Sequence, residues 1–263
     1  MIRPRKKYGQ HFLEPAWADK LVEAIGPDPS DSFLEIGPGP GALTLRLAPR
    51  VARLTAVDVD RHMIDALRPR VAPNVTLLQD DVLELDVASL YPGTSFRVAG
   101  NLPYNIASPI LFALVNAYRE SGRLIDATLM VQREVADRIR AAPGGGDYGV
   151  LAILIGLHAD VRVLLQLPPG AFRPVPRVHS TVIGLRFRPR EIALRDEAVF
   201  EAMVRTIFTQ RRKMVGNALK PFAEQRGRAA AEALAQARLD PSRRPETLQL
   251  EELARLADAF SPA

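Results

Sequence analysis

Residues 34–44 read L-E-I-G-P-G-P-G-A-L-T. The run before the glycines, S-F-L-E-I-G at 32–37, is short and apolar, as a buried strand is, and residues 42–48 have helical spacing. Gly37, Gly39 and Gly41 at a strand's C-terminal end let the backbone turn sharply and lie against a ligand.

Outward from this unit the pattern repeats. Residues 53–58 (R-L-T-A-V-D) are a second strand, followed by an amphipathic helix with Met63, Ile64 and Leu67 on one face. Residues 74–79 and 95–100 are the third and fourth strands, 106–118 a helix, 125–132 a fifth strand and 133–141 a helix. This βαβα alternation predicts an α/β fold, a Rossmann-like parallel sheet with helices on both faces. A glycine-rich break at 143–149 precedes the apolar L-A-I-L-I-G-L-H; strands at about 160–167 and 179–187 then flank P-P-G-A-F-R-P-V-P-R-V, too long for a tight turn. After Pro189 only helical spacing remains, over 196–209, 213–225, 228–238 and 248–260. The expected division is therefore a sheet domain at 1–189 and a small all-helical domain at 190–263.

Composition narrows the partners. No apolar run reaches the roughly 18 residues that span a bilayer, and Pro4 and Gly9 break any targeting helix in the basic N-terminus. The chain has no cysteine, so no disulfide or thiolate metal site, which fits a reducing cytosol. The four histidines show no metal spacing, and no metal is expected. The net charge of +5 is unevenly spread: residues 161–190 carry six arginines and no acid, and 209–228 carry six bases against Glu224 alone, whereas 28–86 hold ten acids and six bases. Basic segments around an acidic centre point to a polyanion at the rim, most simply nucleic acid; the plain alternative is a solvated basic surface.

Five short motifs carry chemistry. The glycine turn also satisfies G-x-G-x-x-A with Asp58 about 20 residues on, so a nicotinamide or flavin dinucleotide has to be weighed. Glu35, two residues before the first glycine, argues against it, because a carboxylate there would oppose a pyrophosphate. E-x-G-x-G-x-G suits a ligand with a positive centre and no phosphate, as S-adenosylmethionine is. Asp58 ends the second strand where a ribose presents its hydroxyls. Asp60 reads more simply as a helix N-cap. In L-L-Q-D-D-V-L (77–83), Asp81 is placed to accept an adenine amino group, with Asp80 as alternative or turn former.

The fourth motif, N-L-P-Y-N-I at 101–106, ends the fourth strand at the edge of the same pocket. The exocyclic amine of adenine is a poor nucleophile because its lone pair is delocalised into the ring. Two acceptors on its hydrogens favour a pyramidal nitrogen and free the lone pair for in-line attack. The Asn101 side chain and the Leu102 carbonyl, fixed by Pro103, supply two acceptors, and Tyr104 a ring on which an extruded base can stack. Once one methyl is added only one hydrogen is left, so a second transfer needs a rotated pose; Asn105 and Ser108 are close enough in sequence to shape that room. In F-R-P-V-P-R-V-H-S (172–180), Phe172 could stack on the base's other face or be a hydrophobic plug, and Arg173 and Arg177 could hold phosphates. Arg211, Arg212 and Lys213 form a further phosphate patch, or a solvated helix face.

Together K-K-Y-G-Q-H-F-L (6–13), E-I-G-P-G-P-G-A-L-T (35–44), D-V-D (58–60), Q-D-D (79–81), N-L-P-Y-N-I (101–106), Q-R-E-V-A-D-R (132–138), P-P-G-A-F-R-P-V-P-R-V-H-S (168–180) and F-T-Q-R-R-K (208–213) resemble the small-subunit ribosomal RNA adenine dimethyltransferases of the KsgA type. The resemblance implies S-adenosylmethionine as methyl donor and two adjacent adenosines near the 3′ end of small-subunit rRNA, in a pre-30S particle, as substrate. It implies a cytoplasmic monomer. It also implies cofactor contacts at His11, Leu13, Gly37, Asp58, Asp81 and Asn101, joining Glu35 and Gly39 from the turn. Asp58 stands where family members more often have Glu, and His11 where many have Asn. The alternatives are the related large-subunit enzyme of macrolide resistance, disfavoured by F-T-Q-R-R-K and R-P-E-T-L-Q-L-E-E-L, and an assembly factor acting mainly by RNA binding.

Overall fold

The computed structural model describes residues 10–261; the basic residues at 3–7 lie outside that range. The described residues form nine strands: β1 (Phe12–Leu13), β2 (Ser32–Ile36), β3 (Arg53–Asp58), β4 (Val75–Gln79), β5 (Phe96–Asn101), β6 (Leu124–Gln132), β7 (Ala159–Leu167), β8 (Phe172–Arg173) and β9 (Ser180–Phe187). Seven form one sheet in the order β4-β3-β2-β5-β6-β9-β7. The strands from β4 to β6 run parallel, as the alternation predicts, but β9 is antiparallel to both neighbours, so the sheet is mixed. The chain winds outward from β2 to β4, then returns to lay β5 on the other side of β2. The crevice at such a reversal, beyond the strands' carboxyl ends, is where open α/β sheets bind ligands.

Burial follows position. Every residue of the central β2 is buried, whereas the edge strand β7 alternates exposed and partly buried positions. The helices of this unit are α1 (Pro15–Ile25), α2 (Thr44–Leu47), α3 (Arg61–Leu67) and α4 (Ala107–Ser121). In α4 the buried Ala107, Ile110, Leu111, Leu114 and Val115 recur at helical spacing. Each fully buried large apolar side chain contributes about 1.5–3 kcal/mol. At the end of the sheet away from the crevice, Arg97 bonds Asp31 and Asp126 at 2.8 and 2.9 Å and the Ile25 carbonyl at 2.8 Å. This guanidinium joins β5, β6 and the C-terminus of α1, where a cation is favoured by the helix dipole.

The second compact unit comprises 137–158 and 189–263. The division differs from 1–189 and 190–263 in that residues 137–158 group with the helices instead of the sheet. The reason is packing: α5 (Arg133–Ile139) runs out of the sheet unit, and the apolar α6 (Val150–Gly156) lies against α7 (Glu197–Thr209). Asp196 caps α7 by accepting the Val199 N–H at 3.0 Å. The helices α8 (Val215–Ala218), α9 (Lys220–Gln225) and α11 (Leu250–Asp258) pack on α7, with α10 (Ala230–Ala237) against α8, α9 and α11. His158 is buried and bonds Glu197 at 2.7 Å, a tie within this unit. Among the described residues no cluster of His, Asp and Glu could hold a metal ion, and no helix is long and apolar enough to cross a membrane.

Candidate active site

The carboxyl ends of β2, β3 and β5 open onto a cleft with about 950 Å³ of empty space, part of it open to solvent. Its walls bring together His11, Leu13, Glu35, Gly37, Gly39 and Asp58 with the whole Asn101–Ile106 segment. The glycine turn is built for close approach. Gly39 has φ 52°, and a Cβ on it would meet the Phe12 ring at 3.3 Å. Its N–H donates to Asp58 Oδ2 at 3.3 Å, while Asp58 Oδ1 accepts the Asp60 N–H at 2.8 Å. Asp60 caps α3 through the His62 N–H, as expected, and also accepts from the Gln10 side chain at 3.2 Å.

Two acids sit in this cleft under strong desolvation. Burial pushes the Glu35 carboxyl up to about 8, with nearby Thr44 lowering it in part and the Asp58 charge adding to the rise. Its Oε2 is buried with no hydrogen-bond partner, a vacant acceptor suited to a cationic group. Burial also raises Asp58, against the lowering effect of the Asp60 and Gly39 N–H groups. Among the described residues this wall carries two acids and no lysine or arginine, which fits the positively charged, phosphate-free S-adenosylmethionine better than a pyrophosphate.

The Asn101 amide is oriented by the segment above it. Its Nδ2 donates to the His11 carbonyl at 2.7 Å; since a carbonyl can only accept, the group at that position is NH₂ and Oδ1 is left to accept. Leu102 donates its N–H to the Met130 carbonyl at 3.1 Å, and Ile106 donates to the Pro103 carbonyl at 3.1 Å. The tight turn between β5 and α4 is thus locked on both sides. Gly100 makes this register possible, because a Cβ there would lie 2.5 Å from the Ile36 carbonyl oxygen. Tyr104 Oη shares a 2.7 Å bond with Ser180 Oγ, and burial raises its phenol above the usual range. Its ring is stacked at 5.8 Å on that of His11, whose Nδ1 bonds the Pro174 carbonyl at 2.7 Å.

Phe172 is a correction. It is fully buried among Leu13, Ala18 and Leu21, so it is the hydrophobic plug and not a wall for the base. Pairing of β8 with β1 (Leu13↔Phe172, Phe12↔Arg173) turns alternate side chains to opposite faces, Phe172 inward and Arg173 outward. Arg173 lies 3.4 Å from Glu14, and Arg177 is exposed. Asp81 is exposed beyond the sheet edge, where its Oδ1 accepts the Leu83 N–H at 3.0 Å; it is not among the cleft walls. Asn105 lines the cleft and Ser108 does not. In the helical unit Arg211, Arg212 and Lys213 are exposed, in the turn after α7, with Arg211 bonding the Gly146 carbonyl at 2.7 Å. Gln10, Val59 and Met130 also line the cleft without having been singled out. Gln10 adjoins His11 in the quoted segment, whereas nothing local marks Val59 or Met130.

A doubly wound sheet with a glycine turn after its first central strand, an acid ending the next, and N-L-P-Y ending the strand across the reversal defines an S-adenosylmethionine-dependent amino-methyltransferase. A profile of the family described as ribosomal RNA adenine dimethylase matches residues 1–260. The chain belongs to that family. It is 42% identical over 269 residues to the ribosomal RNA small subunit methyltransferase A of Geobacter metallireducens, covering 98% of this chain and 96% of that one. Against the protein of the same name from Pseudomonas syringae it is 40% identical over 264 residues, covering 98% and 95%. Among solved structures, a dimethyladenosine transferase from Plasmodium falciparum shares the fold at a TM-score of 0.77 and 24% identity, over 94% of this chain and 96% of that one. The 23S rRNA methyltransferase ErmE superposes at 0.64 with 25% identity, over 95% and 99%.

Proposed function

We propose that this protein transfers methyl groups from S-adenosylmethionine to the exocyclic amines of two adjacent adenosines near the 3′ end of small-subunit rRNA. Family membership and the small-subunit enzymes at 40–42% identity over nearly the full length support this reading over the large-subunit one. S-adenosylmethionine supplies an electrophilic methyl group on a sulfonium sulfur. Glu35 and Asp58 face its positive and hydroxyl groups, Gly37 and Gly39 let the backbone approach, and His11 and Leu13 close the cleft above. Asp81 keeps Oδ2 for an adenine amino group on the Asp58 side.

The observation that carries the chemistry is the orientation of Asn101. With Nδ2 committed to the His11 carbonyl, Oδ1 accepts one hydrogen of the substrate amine, and the Leu102 carbonyl before Pro103 accepts the other. The nitrogen lone pair is then free to form the new N–C bond as the C–S bond breaks, its electron pair staying on sulfur as a neutral thioether, and the methylated nitrogen passes its surplus proton to water. Tyr104 supports the ring of the extruded base. After the first transfer the base turns to present its remaining hydrogen, and Asn105 stands at the wall where that room is needed. Arg173, Arg177, Arg211, Arg212 and Lys213 hold RNA phosphates. The protein works as a monomer in the cytoplasm on a pre-30S particle, 1–189 supplying catalysis and 190–263 RNA contacts.

Asn101→Ala tests this. Methyl transfer to small-subunit rRNA should fall about 100- to 1,000-fold, since an acceptor aligned with the reacting centre is lost, while RNA affinity stays within about twofold. A variant that methylates at an undiminished rate would remove the mechanism.

A further inference from the structure

The helical unit contains a second pocket, formed between α8, α9, α10 and the loop before Arg243, with about 1,100 Å³ of empty space, part of it open to solvent. Its exposed apolar surface is Pro241 and the side chain of Met214, which is 53% exposed, with the buried Ala223 and Leu234 also lining it. The wall is tied together by backbone bonds: Gly216 donates to the Pro241 carbonyl at 3.0 Å, and Val215 to the Arg243 carbonyl at 2.6 Å. A Cβ on Gly216 would come within 3.1 Å of Pro241, so the loop and α8 are in direct contact. The cavity is therefore a built feature and not a gap between loose segments.

Its rim is polar and basic. Lys220 is exposed and, among the described residues, no acid pairs with it. Arg228 is braced by the Gln236 side chain. Arg211, Arg212 and Lys213 lead directly into Met214. Glu224 is the one acid against six bases over 209–228. Glu224 and the exposed Asn217 offer acceptors and an amide donor along the wall, which complement the edge of a nucleobase. Cations for a phosphate, an apolar surface for a ring and a few polar groups for its edge together suit an unpaired nucleotide. A hydrophobic protein segment would leave this basic rim without partners.

We infer that this pocket binds a single unpaired nucleotide of the ribosomal RNA, its phosphate at Lys220 and Arg228 and its base against Met214 and Pro241. The inference rests on the proposed RNA substrate and adds a second, non-catalytic point of recognition. In the test, the full chain is photo-crosslinked to protein-free small-subunit rRNA carrying 4-thiouridine or 6-thioguanosine, and the adducts are mapped by tandem mass spectrometry. An adduct within 214–242 is expected, and it should be lost in Met214→Glu, a substitution at an exposed position. In parallel, Lys220→Ala should weaken binding of that rRNA about threefold near 0.2 M salt and lower the slope of log affinity against log salt by about 1. Wild-type rRNA affinity and slope in both variants, with no adduct in 214–242, would overturn the inference. So would loss of affinity confined to particles containing ribosomal proteins, which would make the occupant a protein. These outcomes count against the cavity alone when the same preparations bind S-adenosylmethionine and methylate; failure of those two activities in the wild-type chain would instead remove the proposed function.

Discussion

Replacing Glu35 by Gln takes one buried acid out of the cleft and leaves its shape unchanged. Burial holds the Glu35 carboxyl at about 8, so in the empty protein about nine molecules in ten carry it protonated at pH 7. A ligand bringing an ammonium and a sulfonium ion supplies the counter-charge that burial removed and favours the carboxylate. Cofactor binding should therefore release about 0.9 proton from this group at pH 7 and only about 0.1 at pH 9, where it is already ionised. Isothermal titration of S-adenosylmethionine in buffers of different ionisation heat reads that number directly. In Glu35→Gln the release should fall by the same amount, leaving what Asp58 contributes, which burial also holds above the ordinary range. Affinity should fall roughly 10- to 100-fold, the worth of a charge-assisted hydrogen bond of about 1.5–3 kcal/mol. Stability has a matching sign. Between the ordinary value of 4.5 and about 8 the native protein keeps a proton that the unfolded chain has given up. Stability of the empty protein therefore declines as pH rises through that window, and the variant should flatten the decline. Equal proton release by wild type and variant would refute the reasoning, because Glu35 would then not ionise on binding.

Gly100→Ala should destabilise the sheet by about 1–3 kcal/mol and slow methyl transfer as well, because its Cβ would press on the Ile36 carbonyl and displace Asn101 next to it; thermal melts and initial rates read both. Arg97→Met should cost about 3 kcal/mol in urea unfolding, since it strands Asp31 and Asp126 beside an apolar side chain. Its turnover at low temperature should stay normal, the cluster lying about 13 Å along β5 from the acceptor. Tyr104→Phe loses the Ser180 bond and should cost about 1 kcal/mol of stability with little change in rate. Tyr104→Ala should lower kcat/KM about 10- to 100-fold through the lost stacking of about 1–3 kcal/mol.

What could be read from the sequence, and what could not, divides along a physical line. Strands β2 to β6 have several residues each, so apolar runs and punctuating glycines identify them, and a residue ending such a strand inherits its position from the strand. That is why Glu35, Asp58 and Asn101 converge as their spacing implies. Strands β1 and β8 have two residues each and carry no period to detect. Their pairing exists only because residues about 160 apart in sequence meet, and it is this pairing that turns Phe172 into the core. Asp81 stands outside the cleft walls for a related reason: it lies two residues past the end of β4, where the local turn and not the strand decides the direction of the side chain. The mixed direction of the sheet and the capture of 137–158 by the helices are likewise set by partners remote in sequence. The catalytic segment is subject to the same rule. N-L-P-Y supplies the acceptors, but the choice of which Asn101 atom accepts depends on the His11 carbonyl, 90 residues upstream. The segment containing His11 therefore does more than cover the cofactor: by occupying the amide NH₂ it commits the carbonyl oxygen to the substrate amine.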